Sequence, residues 1–170
     1  QISNTMSHTV KVGDGQDPCG DTNVVPKGDA SGLYFTTAGI GVRQQGLELS
    51  MENIQDGDFI LVSGPIGDHG TAVMLAREQF GLKGKLQSDA TNVLPLCQAL
   101  HDLHGLRFMR DPTRGGLATV LNEISHATQL GMSIHEPDIP VQEPVTAVCQ
   151  ILGYDPLYLA CAGCFRAMSA

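Results

Sequence analysis

The stretch MRDPTRGGLATVLNEIS, residues 109–125, joins a charged turn to an apolar helical stripe, with two glycines between them. Its apolar residues recur at positions i, i+3, i+4 and i+7: Leu117, Val120, Leu121 and Ile124. This spacing predicts a helix with one buried face. Asp111 is the predicted N-cap and Pro112 the first helical residue, so both glycines fall in the first turns. Because each glycine costs about 1 kcal/mol relative to alanine inside a helix, their presence suggests that something approaches the backbone there.

A second junction of the same kind lies upstream. The run DFILVSG, residues 58–64, is short, apolar and closed by a turn, which predicts a strand buried on both faces. The loop GPIGDHG follows, and residues 71–80 then show helical periodicity with Gly81 as the C-terminal cap. The sequence therefore contains two glycine-rich loops that each precede a helix.

The rest of the chain alternates between strand and helix patterns. Further strands are predicted at residues 33–42, 106–109 and 132–136, and further helices at 93–104 and 143–153. This alternation predicts an α/β or α+β layered fold.

Composition narrows the classes of function. The 170 residues carry a formal net charge of -8, which argues against broad binding of nucleic acid. No apolar run approaches the roughly 20 residues of a membrane helix, and the N-terminus lacks signal-peptide features, so we expect a soluble cytoplasmic protein without a membrane partner. The five cysteines do not form a secreted disulfide framework. Cys97 and Cys149 are predicted to be buried free thiols, and the Cys161–Cys164 pair lacks a second pair that would favour a zinc site.

The two glycine-rich junctions are the first candidate sites. Free backbone N–H groups and the positive end of a helix dipole attract anions, and glycine lets a ligand approach the backbone. Arg114 adds a planar group suited to phosphate or carboxylate. His69 is either a general acid–base group or a solvated loop residue, and Asp68 is either part of the site or the cap of the helix at Thr71.

The segment GDTNVVPKGD, residues 20–29, is the third candidate. Asp21 and Thr22 offer the hard oxygen ligands that Mg²⁺ takes with a nucleotide, and Lys27 can meet a phosphate. A polar turn before a strand is the alternative interpretation.

These segments, in this order, resemble the HypE family of hydrogenase maturation factors, within the superfamily that includes aminoimidazole ribonucleotide synthetase and selenophosphate synthetase. Five stretches between about residues 20 and 160 carry the resemblance: GDTNVVPKG, TTAGIG, GDFILVSGPIGDHGTAVML, MRDPTRGGLATVLNE and LGYDPLYLA. The combination of GDHG with DPTRGG is specific.

The resemblance implies an enzyme that uses ATP and Mg²⁺ to dehydrate a thiocarboxamide on a C-terminal cysteine to a thiocyanate, the source of cyanide for [NiFe] hydrogenases. It implies HypF, HypC and HypD as partners, a homodimer, and a two-domain α/β fold. Asp68, His69, Asp111 and Arg114 become candidate catalytic residues. The remaining candidates are expected to bind the cofactor, with Asp21 also binding the metal: Asp21, Thr22, Lys27, Thr113, Gly115 and Gly116.

The resemblance also implies a domain division. Residues 1–19 are an irregular lead-in, 20–55 the end of an N-terminal ATP-binding domain, 56–160 a truncated C-terminal α/β domain of the aminoimidazole ribonucleotide synthetase type, and 161–170 an atypical tail. The family reads Asn-Glu-Gly-Lys where this chain has residues 161–164, so the expected acidic residue is replaced by Ala162. Asn23 stands where relatives have lysine, and whether Lys27 replaces that lysine stays open.

Compared with the family, we expect the N-terminal half and the C-terminal acceptor cysteine to be absent from these 170 residues. The chain alone is therefore expected not to turn over. Two alternatives stand beside this hypothesis: a selenophosphate synthetase-like enzyme, and a non-catalytic module that binds maturation partners. Nucleotide binding discriminates between the enzyme and the module.

Overall fold

The computed structural model describes residues 25–29, 32, 34, 36, 38, 40–42, 45–77, 84–101, 103–162 and 166–169. The chain divides into two compact units, residues 1–46 and 47–170. The described residues of the first unit are exposed and carry no helix. All of the helices and strands described below belong to the second unit. The predicted domain boundary after residue 55 stays a prediction.

The second unit contains four α-helices and three strands in its described part. In chain order they are β1 (Phe59–Val62), α1 (Asp68–Ala76), α2 (Leu94–His101), β2 (Leu106–Arg110), α3 (Gly116–Thr128), α4 (Glu143–Leu152) and β3 (Arg166–Ser169). Short 3-10 helices cover Met51–Asn53, Glu136–Asp138 and Pro156–Tyr158.

Helix α3 contributes four residues to the core, as its apolar spacing predicts. All four residues of the predicted stripe are buried, none more than 6% exposed. Val120 and Ile124 pack with Phe108 of β2, and Leu117 and Leu121 pack with Ile66 and Cys161. The helix therefore joins two neighbouring apolar clusters.

The three strands form an antiparallel sheet in the order β1-β3-β2. Strand β3 lies in the middle and pairs with Phe59–Val62 on one side and with Leu106–Arg110 on the other. The segment predicted to be an atypical tail thus supplies the central strand. Because the pairing is antiparallel, one face of the sheet can stay open to solvent.

Strand β1 corrects one prediction from the sequence. Its apolar run indicated burial on both faces, but Phe59 is 71% exposed and Leu61 is 42% exposed, while Ile60 and Val62 are half-buried against the core. The described part of the chain places nothing over the outer face of β1. The prediction that both faces of this strand are buried is therefore wrong.

Two other predicted strands are not strands in the structure. Residues 131–135 are irregular, and the 3-10 helix Glu136–Asp138 follows them. The described residues of the segment 33–42 also lie outside the strands, and Ile40 and Val42 are fully exposed. A strand needs a hydrogen-bonded neighbour, which alternation in the sequence cannot supply.

Helices α2 and α4 are confirmed by the structure, and Gly153 ends α4 in the left-handed conformation. Cys149 is buried and Cys97 half-buried, and both are free thiols. Residues 78–83, which include the end of the predicted helix 71–80, lie outside the described residues. Among the helices that the structure describes, none has the length and apolar character to cross a membrane.

Candidate functional site

The two glycine-rich junctions meet through one stretch of chain, residues 157–162, which we call the bridging segment. The Gly70 N–H donates a hydrogen bond to the Ala160 carbonyl at 3.0 Å. The Cys161 N–H donates to the Pro112 carbonyl at 3.2 Å, and the Gly67 N–H donates to the Cys161 Sγ at 3.3 Å. The bridging segment therefore holds both junctions at one place in the fold.

Gly116 is required by this arrangement. It is buried with a φ of +63°, and a Cβ atom there would lie 2.6 Å from the Leu159 carbonyl oxygen and closer still to that of Leu157. Both obstacles are backbone atoms, which cannot move aside as a side chain can. In the structure the approaching group is thus another part of the same chain, and the predicted contact of Gly116 with a cofactor stays a prediction.

The start of helix α3 corrects the predicted role of Asp111. The helix begins at Gly116, with Gly115 in the N-cap position at a φ of +71°, and not at Pro112. Two successive residues with positive φ interrupt a right-handed helix. Asp111 is exposed and accepts a hydrogen bond from the Thr113 hydroxyl at 3.0 Å, which fixes the turn before the helix.

Helix α1 also begins earlier than predicted, at Asp68, with Gly67 in the N-cap position at a φ of +80°. Asp68 is therefore inside the helix and does not cap it at Thr71. Its side chain is only 4% exposed, and its Oδ2 accepts a hydrogen bond from the Gln142 amide. Burial raises the pKa of the Asp68 carboxyl, the Gln142 hydrogen bond lowers it, and the charge of Asp89 raises it, with a net upward shift.

His69 lies next to this carboxyl and is half-buried. Its Nδ1 is 2.8 Å from the Ser88 hydroxyl, so the ring is held by a partner and is not simply solvated. Asp89 accepts the Ala162 N–H with both carboxylate oxygens at 3.1 Å. Residues 88 and 89 thus link α1 to the bridging segment.

Sequence reasoning missed Ser88, Asp89 and Gln142. Ser88 and Asp89 lie in an irregular segment without periodicity, and Gln142 comes just before a helix. Each contacts a partner at least 19 residues away. No local sequence pattern predicts contacts between residues this far apart in the chain.

Arg114 is the positive group most available to a ligand at these junctions. It is exposed and has no ion-pair partner among the described residues. By contrast, Arg107 pairs with Asp58 at 3.1 Å and Arg110 pairs with Glu123 at 2.5 Å. The exposed turn Thr113–Gly115 carries this free guanidinium next to the start of α3.

The third candidate segment lies apart from these residues in the sequence. Asp21 and Thr22 are outside the described residues, and Lys27 is exposed in the first unit. In the part of the chain that the structure describes, no group of three or more His, Cys, Asp or Glu side chains is placed to hold a metal ion. The described residues alone do not assemble a metal site of three or more such side chains, and the role of Asp21 stays a prediction.

A cavity of about 510 Å³ lies elsewhere, between the turn before β1 and residues 130–139. The residues that line it include the apolar Ile60, Leu117 and Met132 and the polar Asp56 and His135. None of the predicted site residues lines this cavity. We place the candidate site at the two glycine-rich junctions. The buried carboxyl of Asp68, His69 and the unpaired Arg114 all lie at these junctions, which the bridging segment connects.

Comparison with known proteins agrees with the fold. The sequence profile of the family described as "AIR synthase related protein, C-terminal domain" matches residues 55–165. Carbamoyl dehydratase HypE of Bradyrhizobium diazoefficiens is 42% identical over 171 residues, which cover 95% of this chain and 47% of that protein. The HypE of Azotobacter vinelandii is 45% identical over 152 residues, covering 85% and 42%. The chain thus spans less than half the length of these relatives.

Solved structures give the same result. Crystalline Escherichia coli HypE superimposes with a TM-score of 0.92 at 37% identity, over 99% of this chain and 52% of that one. A HypE–HypF complex gives 0.86 at 35% identity, over 99% and 55%. A HypE structure in complex with ATP gives 0.66 at 37% identity, over 71% and 36%. The predicted fold class, a C-terminal-type domain of this superfamily, is confirmed.

Replacement of Gly116 tests the bridging contact. Gly116→Ala places a Cβ against two carbonyl groups and forces a side chain into positive φ, so we expect a loss of about 2–4 kcal/mol in the free energy of unfolding. Urea unfolding measures it. Gly131→Ala is the matched control, because a Cβ there meets nothing within 4 Å. Equal effects of the two substitutions would contradict the proposed packing.

Asp68 predicts a dependence of stability on pH. Since the pKa of Asp68 is raised by folding, its contribution to stability is complete below the unfolded pKa and is lost as the pH rises through the folded pKa. Asp68→Asn removes this dependence. As the pH rises, the free energy of unfolding of the variant should therefore increase relative to that of the wild type. Urea unfolding between about pH 3 and 8 measures the difference. Asp56→Asn, on an exposed turn, is the control, and a flat difference for Asp68→Asn would refute the assignment.

Proposed function

Since this chain belongs to the HypE family of AIR synthase related proteins, we propose that it forms part of an ATP-dependent carbamoyl dehydratase of hydrogenase maturation. The relatives named above are carbamoyl dehydratases, and the HypE solved with ATP is described as a hydrogenase maturation protein, which favours this function over the selenophosphate synthetase alternative. The full reaction that we propose is dehydration of a cysteine thiocarboxamide to a thiocyanate. A cytoplasmic location and a homodimeric state belong to the same proposal.

The observation that carries the proposal is the convergence of both glycine-rich junctions on the bridging segment. This places the exposed turn with Arg114 and the buried start of α1 on one framework. An ATP phosphate fits the turn, because Arg114 carries a free guanidinium on an exposed turn at the start of α3. The related HypE structure in complex with ATP supports nucleotide binding as such.

Each junction has its own task in this proposal. ATP, when bound, supplies the phosphoryl group that turns an amide oxygen into a leaving group. Arg114 orients the phosphates, and Asp111 and Thr113 fix the turn that carries it. Asp68 and His69 stand at the second junction, where a carboxyl of raised pKa lies beside an imidazole that the Ser88 hydroxyl contacts, so that both are proposed to transfer protons. Lys27, Thr22 and Asp21 remain proposed contacts of the nucleotide and its Mg²⁺.

The proposed partner is a HypF-type carbamoyltransferase. A solved HypE–HypF complex contains a protein that resembles 99% of this chain. HypC- and HypD-type proteins are proposed as later partners, by resemblance alone. If this chain binds a HypF homologue but no nucleotide, the non-catalytic module is the better description.

Nucleotide binding by the 170-residue chain tests the proposal. Titration calorimetry with ATP and Mg²⁺ should detect binding, and Arg114→Gln should weaken it about tenfold or more, because a charge-assisted hydrogen bond is lost. Arg77→Gln is the matched control, since Arg77 is also exposed and unpaired among the described residues.

Turnover is measured in a second assay, as ADP released by the same chain. With ATP and a carbamoylated cysteine peptide we expect no ADP release, because Ala162 has no ionisable group where the family has glutamate. ADP release would contradict the expectation that this chain does not turn over, whereas equal ATP affinity of Arg114→Gln and wild type would count against the proposed nucleotide site.

A further inference from the structure

Helix α1 carries two buried polar atoms that the described structure leaves without a hydrogen-bond partner. They are Oδ1 of Asp68 and the hydroxyl oxygen of Thr71. Asp68 is 4% exposed and Thr71 is fully buried. The two residues are spaced i, i+3, so their side chains lie on the same face of the first helical turn.

Such a pair is unusual in a folded protein. Buried polar side-chain atoms nearly always have a partner, and those without one destabilise the folded state. Valine has almost the same shape as threonine and would fill the position of Thr71 without an unsatisfied hydroxyl. Two unsatisfied atoms one turn apart, at the helix start of the candidate site, indicate that a ligand supplies the missing partners.

The chemistry of the pair defines the ligand. The Gln142 amide donates to Oδ2 of Asp68 and fixes the carboxyl, so Oδ1 is left to accept a hydrogen bond. The Thr71 hydroxyl can donate one. An acceptor beside a donor is complementary to a primary amide, whose NH₂ group donates and whose carbonyl oxygen accepts.

Other ligands fit less well. An anion is repelled by Asp68 and by the nearby Asp89, whose charge raises the pKa of Asp68. A metal ion needs more ligands than the described residues provide here. A simple ammonium group would satisfy Asp68 but could not accept from the Thr71 hydroxyl.

We propose that Asp68 and Thr71 form the subsite that binds the amide end of a carbamoyl group. This inference rests on the proposed function, whose substrate carries such a group. Asp68 binds the NH₂ group and Thr71 the carbonyl oxygen. Thr71 is a binding residue that the sequence motifs did not suggest.

Entry to the subsite involves residues 88 and 89. The Ser88 hydroxyl contacts His69, and Asp89 accepts from the Ala162 N–H. This stretch has no helix or strand to hold it. We expect the ligand to enter when these hydrogen bonds open.

Substitution of Thr71 by valine tests the proposal, with N-acetyl-S-carbamoylcysteine amide as the probe and no ATP present. Titration calorimetry should show that Thr71→Val binds the probe about tenfold more weakly than the wild type. Without ligand, its Tm should equal or exceed that of the wild type, because an unsatisfied buried hydroxyl is removed. Thr71→Ser keeps the hydroxyl and should retain binding.

Thr128→Val is the matched control. The Thr128 hydroxyl donates to the Ile124 carbonyl at 2.8 Å, so this variant should have a lower Tm and unchanged probe binding. The proposal is overturned if the wild type does not bind the probe, or if Thr71→Val lowers the Tm and leaves binding unchanged. If Thr71→Val does not fold, Asp68→Asn must show the loss of binding instead, and unchanged affinity there overturns the proposal.

The outcome is separable from that of the proposed function. Probe binding without ATP reports on the amide subsite alone, whereas ATP affinity and its loss in Arg114→Gln report on the nucleotide site. Failure of the first with success of the second removes the subsite and leaves the proposed function intact.

Discussion

The close approach of the bridging segment to the two helix starts is the constraint on which the rest of the site depends. At Gly116 the neighbouring carbonyl groups leave no room for a Cβ atom, and at Gly70 a Cβ would lie 3.2 Å from the Ala160 nitrogen. At Gly116 only a residue without a side chain allows the backbones to pass at this distance, and at Gly70 a side chain would be tight. Hydrogen bonds from Gly70, Cys161 and Gly67 then fix the segment in place.

This packing separates two kinds of environment. At the start of α1 it leaves a carboxyl almost without solvent, and burial therefore raises the pKa of Asp68. At the start of α3 it leaves the turn with Arg114 exposed. A buried carboxyl and an exposed permanent cation suit different groups of the proposed reaction: the amide that is dehydrated and the phosphate that activates it.

Sequence alone predicted the elements whose signals are local. The spacing of Leu117 to Ile124 predicted the buried face of α3, and the two glycine-rich loops were recognised as junctions of interest. What it could not predict was long-range: the obstacle at Gly116 comes from residues 157–159, some 40 positions away. The glycines alone predict room for a ligand, because nothing in the sequence of the bridging segment indicates where that segment packs.

The errors have the same origin. Asp111 looks like an N-cap because capping preferences are local, but the positive φ of Gly115 and Gly116 moves the helix start beyond it. The apolar run of β1 looks fully buried, although exposure of Phe59 depends on which elements cover the sheet. Asp68, His69 and Arg114 were found through their glycine-rich loops, whereas Gln142, Ser88 and Asp89 are defined only by tertiary contacts.

Native-state hydrogen exchange of two amides tests the central claim most directly. The Gly70 N–H is bonded to Ala160 and the Cys161 N–H to Pro112, so each reports on one junction with the bridging segment. If the segment holds both junctions as one unit, the two amides exchange with the same free energy of opening. Protection of the Gly70 amide together with unprotected exchange of the Cys161 amide would contradict the account.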